Sequence, residues 1–308
     1  MNEFDLIEKY FNWQTNNPDF LGIGDDCALI SIPEQHKLAT SVDTLIEGVH
    51  FPSNTSAADV AHKALAVNLS DLAAMGATPL YFTLALTLPN IDESWLEGFS
   101  SSLKTLSEKY NLFLLGGDTT KGHLSITINV TGTLPINQAL LRSGANVDDI
   151  IFVSSTLGDA ALAWQKIQRD KTPGAKILKK FNTPEPQVLL GKKLLGVANS
   201  CIDISDGLEQ DLSHILNRSK LGARIDISDI PLSDEVLMYV ENTKDWCLPL
   251  AGGDDYELCF TVPKDNIDQL ELITKELDIK LTKIGVITKN QDLEIVGLNK
   301  TCTSYQHF

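Results

Sequence analysis

Residues 57–76, AADVAHKALAVNLSDLAAMG, carry the clearest helical period in the chain. At about 100° per residue, Ala61, Ala64, Leu65, Asn68, Asp71, Leu72 and Met75 share one stripe. Gly76 closes this helix and Pro79 follows as the expected stop. The stripe is apolar except for Asn68 and Asp71, and a carboxylate there either reaches water or meets a cation. Residues 1–16 form a second predicted amphipathic helix, with Phe4, Ile7, Tyr10 and Phe11 at helical spacing. Residues 37–43, KLATSVD, alternate instead. Leu38, Thr40 and Val42 face one way and Ala39, Ser41 and Asp43 the other, so Asp43 ends a strand.

NLFLLGGDTTKG (111–122) is a short apolar strand that runs into two glycines and an aspartate. LSITINVTGTLP (124–135) is a second alternating strand. The pattern loosens over 136–149, as a crossing between domains would. The second half then alternates. Strand IIFVSS precedes a helix from about Gly158, and strand SCIDIS a helix from Gly207. Strand ARIDIS, helix 233–242, strand YELCFTVP, a helix near 265–277 and strand 279–287 follow. The fold class expected is α/β with mixed α+β sheets, in two domains of roughly 1–138 and 139–308.

Composition narrows the function. At 308 residues the chain can bury two cores. No apolar run reaches the roughly 18 residues that span a bilayer, so no membrane role is expected. The N-terminus shows no signal pattern, and a cytoplasmic location is expected. A net charge of −16, without a basic stripe, disfavours nucleic acid as a partner. Of five cysteines, Cys27, Cys201 and Cys259 lie in apolar or strand-like runs and read as small buried thiols. No His/Cys cluster suggests zinc.

The familiar nucleotide motifs are missing: there is no P-loop, no protein-kinase set, no G-x-G-x-x-G and no G-x-S-x-G elbow. What remains is carboxylate, in the turns GIGDD, SVDT, GGDTT, DISDG and GGDD. Aspartates and hydroxyls are ligands for hard cations, and glycine lets a phosphate approach the backbone. Some of these aspartates could instead serve turns or caps, and Asp206 could cap the helix that begins near Gly207. An acidic protein that handles anionic substrates needs cations, and several Mg²⁺ ions would supply them. Arg142, in LLRSGA, is the side-chain cation whose fork suits a phosphate.

The stretches GIGDDCALI, SVDTLIEGVHF, KALAVNLSDLAAMGATP, GGDTTKG, RSGA, CIDISDGLEQDL, AGGDDYELCFTVP and YQHF occur in order through most of the chain. Together they resemble the thiamine-monophosphate kinase family of the PurM-like ATP-binding superfamily. The resemblance implies ATP-dependent phosphorylation of thiamine monophosphate to the diphosphate, by direct in-line transfer with several Mg²⁺ ions. It also implies a two-domain PurM-like fold and a homodimer built on the N-terminal sheet.

Carried over by position, Asp26, Ser41, Val42, Asp43, Asp71, Asp118, Asp203 and Asp206 fall at Mg²⁺ positions. Gly117, Asp118, Arg142 and Ser205 fall at ATP positions, and His50, Asp254 and Tyr305 at thiamine phosphate positions. Asp43, Asp71, Asp118 and Arg142 are the residues expected to carry catalysis. Val42 stands where many relatives have Thr, Asp254 where Glu is common and Tyr305 where Trp is frequent. Asp25 reads as a turn-forming neighbour of Asp26. Two alternatives remain: a PurM-like synthase with a carboxamide or selenide acceptor, and a non-catalytic Mg–nucleotide binding module.

Overall fold

The structure is a computed structural model and describes residues 2–13, 20–23, 27–298 and 302, residues 3 and 4 by their backbone alone. The chain divides into two compact units. The first holds Met1–Leu72 and Ala77–Asn137, the second Ala73–Gly76 and Gln138–Phe308.

The first unit opens with helix α1 (Glu3–Tyr10), shorter than the periodicity of 1–16 suggests. Asn2 and Asp5 close a reciprocal capping box at its start. Short strands β1 (Phe20–Leu21) and β2 (Leu29–Ile30) pair antiparallel. Then come β3 (His36–Ile46), α2 (Ala57–Met75), β4 (Thr78–Leu88), α3 (Glu93–Lys109), β5 (Phe113–Lys121) and β6 (Ser125–Pro135). The four long strands form one sheet in the order β3-β6-β4-β5, in which only β4 and β5 run parallel. Period-two alternation decides its inner face. Phe82, Leu84, Leu86 and Leu88 of β4 and Ile126, Ile128 and Val130 of β6 are buried, as are Leu65, Leu69 and Leu72 of α2. Each such side chain removed from water contributes about 1.5–3 kcal/mol. The opposite face is rich in hydroxyls, with Thr44 and Thr127 bonded to each other at 2.8 Å. Leu38 and Val42 are exposed on edge strand β3.

The second unit contains β7 (Ile150–Ser154), α4 (Asp159–Gln168), α5 (Ala175–Asn182), α6 (Val188–Leu194), β8 (Ser200–Ile204) and α7 (Leu208–Ser219). It continues with β9 (Gly222–Asp226), α8 (Asp234–Thr243), α9 (Cys247–Ala251), β10 (Glu257–Val262), α10 (Ile267–Leu277), β11 (Leu281–Thr288) and β12 (Leu293–Val296). Its sheet has the order β12-β9-β11-β7-β10-β8, antiparallel except for β12 beside β9. β8 and β10 are buried along their whole length. Leu208, Leu212 and Ile215 of α7 pack in one core with Ile202 and Ile204 of β8. A second cluster joins Leu162, Ile177, Phe181, Val236 and Val240 of α4, α5 and α8.

Both sheets are mixed, as the sequence leads one to expect. The cysteines divide differently from the expectation. Cys201 and Cys259 are buried thiols, but Cys27 is exposed, because it stands just before the short strand β2 rather than inside a core strand. Cys247 and Cys302 form a disulfide across 55 positions. No helix among the described residues is long and apolar enough to cross a membrane.

Candidate functional site

In the first unit the alternation of β3 turns Ser41 and Asp43 towards helix α2. The Ser41 hydroxyl donates to Asp71 Oδ2 at 2.5 Å. Asn129, on β6, donates from Nδ2 to the Ser41 carbonyl at 3.0 Å and fixes this part of the strand. Asp43 lies close enough to Asp71 for their charges to interact. Burial, reinforced by the Asp71 charge, pushes the Asp43 carboxyl up to about 6. Two interacting carboxylates, with a serine hydroxyl between strand and helix, form a donor set suited to a hard divalent cation. Mg²⁺ takes one or two carboxylates and keeps several waters, and this pair fits that requirement. Among the described residues, no three His, Cys, Asp or Glu side chains form a metal cluster by themselves. Val42 points its exposed side chain away from Asp43, so it can offer a cation only its main-chain carbonyl.

Asp118 sits on β5, in register with Ala85 of β4. The preceding Gly117 is obligatory: a Cβ there would lie 1.7 Å from the Leu84 carbonyl oxygen. Gly117 and Asp118 line a cavity of about 280 Å³ with Phe11, Cys27, Thr83 and Leu114. His50 follows β3 in a tight turn. Its Nδ1 accepts the Ile46 backbone N–H at 3.0 Å, so the neutral ring carries its proton on Nε2.

In the second unit Asp203 lies near the end of β8 and is buried, opposite Leu258 of β10. Residues 205–207 follow as a turn into α7. One oxygen of Asp211, Oδ2, accepts the backbone N–H groups of Ser205, Asp206 and Gly207 at 3.0, 3.0 and 3.1 Å. Burial pushes the Asp211 carboxyl up to about 7, against these N–H groups, which favour its charged form. Asp206 does not cap α7. The cap position is Gly207, with no side-chain bond, and the Asp206 carboxylate instead accepts from Gln210 Nε2 at 2.8 Å. A carboxylate from within the helix has taken the N–H groups a cap would have used. Asp211 was hidden in sequence among the acids of DISDGLEQDL, because its loop partners are main-chain groups.

Arg142 is exposed in the loop before Gly144, where Leu141 O accepts the Cys201 N–H at 3.0 Å and so ties this loop to the start of β8. A Cβ on Gly144 would stand 2.5 Å from Asn199 O, which explains the glycine of RSGA. Asp254 lies on the turn 253–256. Its N–H donates to Ser205 O at 2.8 Å, and the Tyr256 N–H donates to Ile204 O at 2.8 Å. One buried acid lies within this turn and another follows it. Asp255 accepts the Gly158 N–H at 2.9 Å, and Glu257 pairs with Lys180 at 2.5 Å. Ser205 and Asp254 are thus joined through the backbone, and Asp203 precedes the same turn. Asp26, with its neighbour Asp25, and Tyr305 lie outside the described residues. Cys302, three positions before Tyr305 in sequence, is tied by its disulfide to the first residue of α9.

Comparison with known proteins identifies the family and the fold. Residues 24–134 match the family model for the N-terminal domain of AIR synthase related proteins, and 139–297 that for the C-terminal domain. The thiamine-monophosphate kinase of Escherichia coli K12 is 48% identical over 293 residues, covering 93% of this chain and 90% of the relative. The crystal structure of the Stenotrophomonas maltophilia K279a thiamine-monophosphate kinase superposes with a TM-score of 0.90 at 40% identity, over 97% of this chain and 98% of the other. A ThiL protein complexed with AMPPCP and TMP superposes with a TM-score of 0.81 at 29% identity, over 90% and 89% of the two chains. With both domain models matched in order and such identity along nearly its whole length, the chain belongs to the thiamine-monophosphate kinase family.

Proposed function

We propose that the chain transfers the γ-phosphoryl group of ATP to thiamine monophosphate, giving thiamine diphosphate and ADP. The observation that carries this reading is the 48% identity to a thiamine-monophosphate kinase over 93% of the chain, with the acidic turns SVDT, GGDTT, DISDG and GGDD spread along it. A terminal phosphate oxygen of thiamine monophosphate attacks the γ-phosphorus of ATP. The new P–O bond forms as the bond to the ADP oxygen breaks, and ADP leaves. The attacking oxygen already carries charge, since a second phosphate pKa lies near 6, so no residue must remove a proton.

The chain's own residues then bind and orient. Ser41, Asp43, Asp71, Asp118, Asp203 and Asp206 are the side chains we assign to Mg²⁺, with the Val42 carbonyl and Asp26. Bound Mg²⁺ neutralises phosphate charge that an acidic chain would otherwise repel. Gly117, whose missing Cβ lets β5 lie hard against Leu84 of β4, and Asp118 beside it are the residues of this strand we assign to ATP. Arg142 offers its guanidinium fork to ATP, and Ser205 its hydroxyl. His50 Nε2–H is a donor for the acceptor's phosphate, and Asp254 and Tyr305 address the thiamine moiety. We assign the metal and nucleotide domain to 1–138 and the second domain to 139–308.

A homodimer in the cytoplasm completes the reading. The exposed edge strand β3 and the hydroxyl-rich open face of its sheet support self-association through the first unit. The direct test combines purified protein, ATP and thiamine monophosphate, and separates products by chromatography. Thiamine diphosphate and ADP should appear in equal amounts. ADP formation indifferent to thiamine monophosphate would refute the assignment. Incubation with γ-labelled ATP and no acceptor should leave the protein unlabelled.

A further inference from the structure

Tyr256 stands in the turn that carries Asp254. We propose that its hydroxyl is a positioning group that sets the Asp254 carboxylate for the thiamine-bearing substrate, a role that rests on reading Asp254 as a substrate contact. The Tyr256 hydroxyl donates to Asp254 Oδ1 at 2.8 Å. A hydrogen bond to an ionised acceptor is among the stronger ones, and fixing one oxygen fixes the carboxylate plane. The direction faced by the second oxygen follows from it.

The backbone makes this contact at a cost. Gly253, Asp254 and Tyr256 all have positive φ, at 68°, 65° and 51°. Two non-glycine residues in the left-handed region within one four-residue turn mark a strained segment, and such strain persists only where the surroundings fix it. Here the surroundings are the backbone bonds from Asp254 to Ser205 and from Tyr256 to Ile204, with Asp255 buried between them. A tyrosine hydroxyl stands at the far end of a rigid ring. It reaches a short aspartate two residues earlier only where the chain doubles back, and the two left-handed residues produce that reversal. A Cβ on Gly253 would lie 2.5 Å from the Ser205 carbonyl oxygen, so the turn also sits hard against the loop that carries Ser205.

The carboxylate at this position is short, and an aspartate has less reach than a glutamate would. An aspartate has fewer torsions to fix, and the hydroxyl immobilises what remains. Specificity for a substrate with a cationic thiazolium and an aminopyrimidine would then depend on one oriented oxygen rather than on a mobile longer arm.

Tyr256→Phe keeps the ring and removes only the hydroxyl. With the full chain, steady-state kinetics should show KM for thiamine monophosphate raised about tenfold, the loss of one hydrogen bond to a charged group. KM for ATP and the melting temperature should stay at the wild-type values. Asp254→Asn is measured beside it, and Tyr256→Phe should add nothing in that background. If Asp254→Asn raises KM for thiamine monophosphate and Tyr256→Phe does not, the positioning role is wrong and the Asp254 reading stands. If neither substitution changes that KM, the reading of Asp254 fails and takes the proposal with it. Equal rises in both KM values for Tyr256→Phe, with a lowered melting temperature, would mean a merely structural tyrosine and overturn the proposal.

Discussion

The Ser41 hydroxyl donates to Asp71 Oδ2 at 2.5 Å and joins strand β3 to helix α2 where their carboxylates meet. The bond orients Asp71 while the serine oxygen keeps lone pairs for a cation. Ser41→Ala removes one charge-assisted bond from a side chain assigned to metal. Turnover should fall about tenfold at limiting Mg²⁺ and recover largely at high Mg²⁺. A Mg²⁺ titration of initial rate checks this, and a loss that excess Mg²⁺ does not restore would separate Ser41 from the metal.

Asp43 supplies a pH signature. Its native carboxyl titrates at about 6, above the ordinary 3.8, through burial and the Asp71 charge. Between these values the native state holds a proton that the unfolded chain has released. Without metal, stability should therefore fall as pH rises through that window and level off above about 6. Asp43→Asn should remove the slope and raise the melting temperature of metal-free protein at pH 7.5. The same variant should lose activity by a hundredfold or more, an effect on the order of removing one preorganised electrostatic group. Thermal melts with EDTA across pH 4–8 measure the slope.

Asp211 makes a third case. Its single oxygen holds three successive N–H groups of the 205–207 turn. Asp211→Ala leaves those donors without their acceptor and should cost about 2–3 kcal/mol in urea unfolding. Because Ser205 and Asp206 sit on that turn, KM for ATP should rise as well, even under conditions where the variant is fully folded. An unchanged KM for ATP would show that the brace serves stability alone.

These sites show where sequence reading reaches and where it stops. The alternation over 37–43 placed Ser41 and Asp43 on one face, and the stripe of 57–76 placed Asp71 on the margin of another, so the pair of elements was legible from periodicity. Their contact was not, because nothing local fixes how a helix lies against a strand. Strand β4 is masked in the sequence although Phe82, Leu84, Leu86 and Leu88 alternate, because Pro79 so close behind Gly76 signals a helix stop. In the structure it occupies the second position of the strand. Helix α3 is legible in principle, since Leu96, Phe99, Leu103 and Leu106 recur at helical spacing, whereas α5, α6 and α9 span only five to eight residues, too few for a period to stand out. Asp211 and Tyr256 were invisible for a different reason. Each acts on main-chain or neighbouring groups through a turn whose geometry appears only in three dimensions.

The disulfide between Cys247 and Cys302 closes a span of 55 positions. In the chain-entropy account a loop of that length contributes about 4 kcal/mol through the unfolded state. Cys302→Ser, or reduction with dithiothreitol, should lower the urea midpoint accordingly. Thiol titration of the denatured protein should find Cys27, Cys201 and Cys259 reactive before reduction, and all five cysteines after it.

The central claim is that acidic side chains, above all Asp43 and Asp71, serve phosphoryl transfer from ATP to thiamine monophosphate through bound Mg²⁺. The most direct measurement follows thiamine diphosphate formation with Mg²⁺ withheld by EDTA and then restored, in the natural chain and in Asp71→Asn. The account predicts no product without Mg²⁺, full recovery on its return in the natural chain, and no recovery in Asp71→Asn despite an unchanged circular dichroism spectrum. Turnover that persists without Mg²⁺, or Asp71→Asn at wild-type rates under ordinary Mg²⁺, would contradict it.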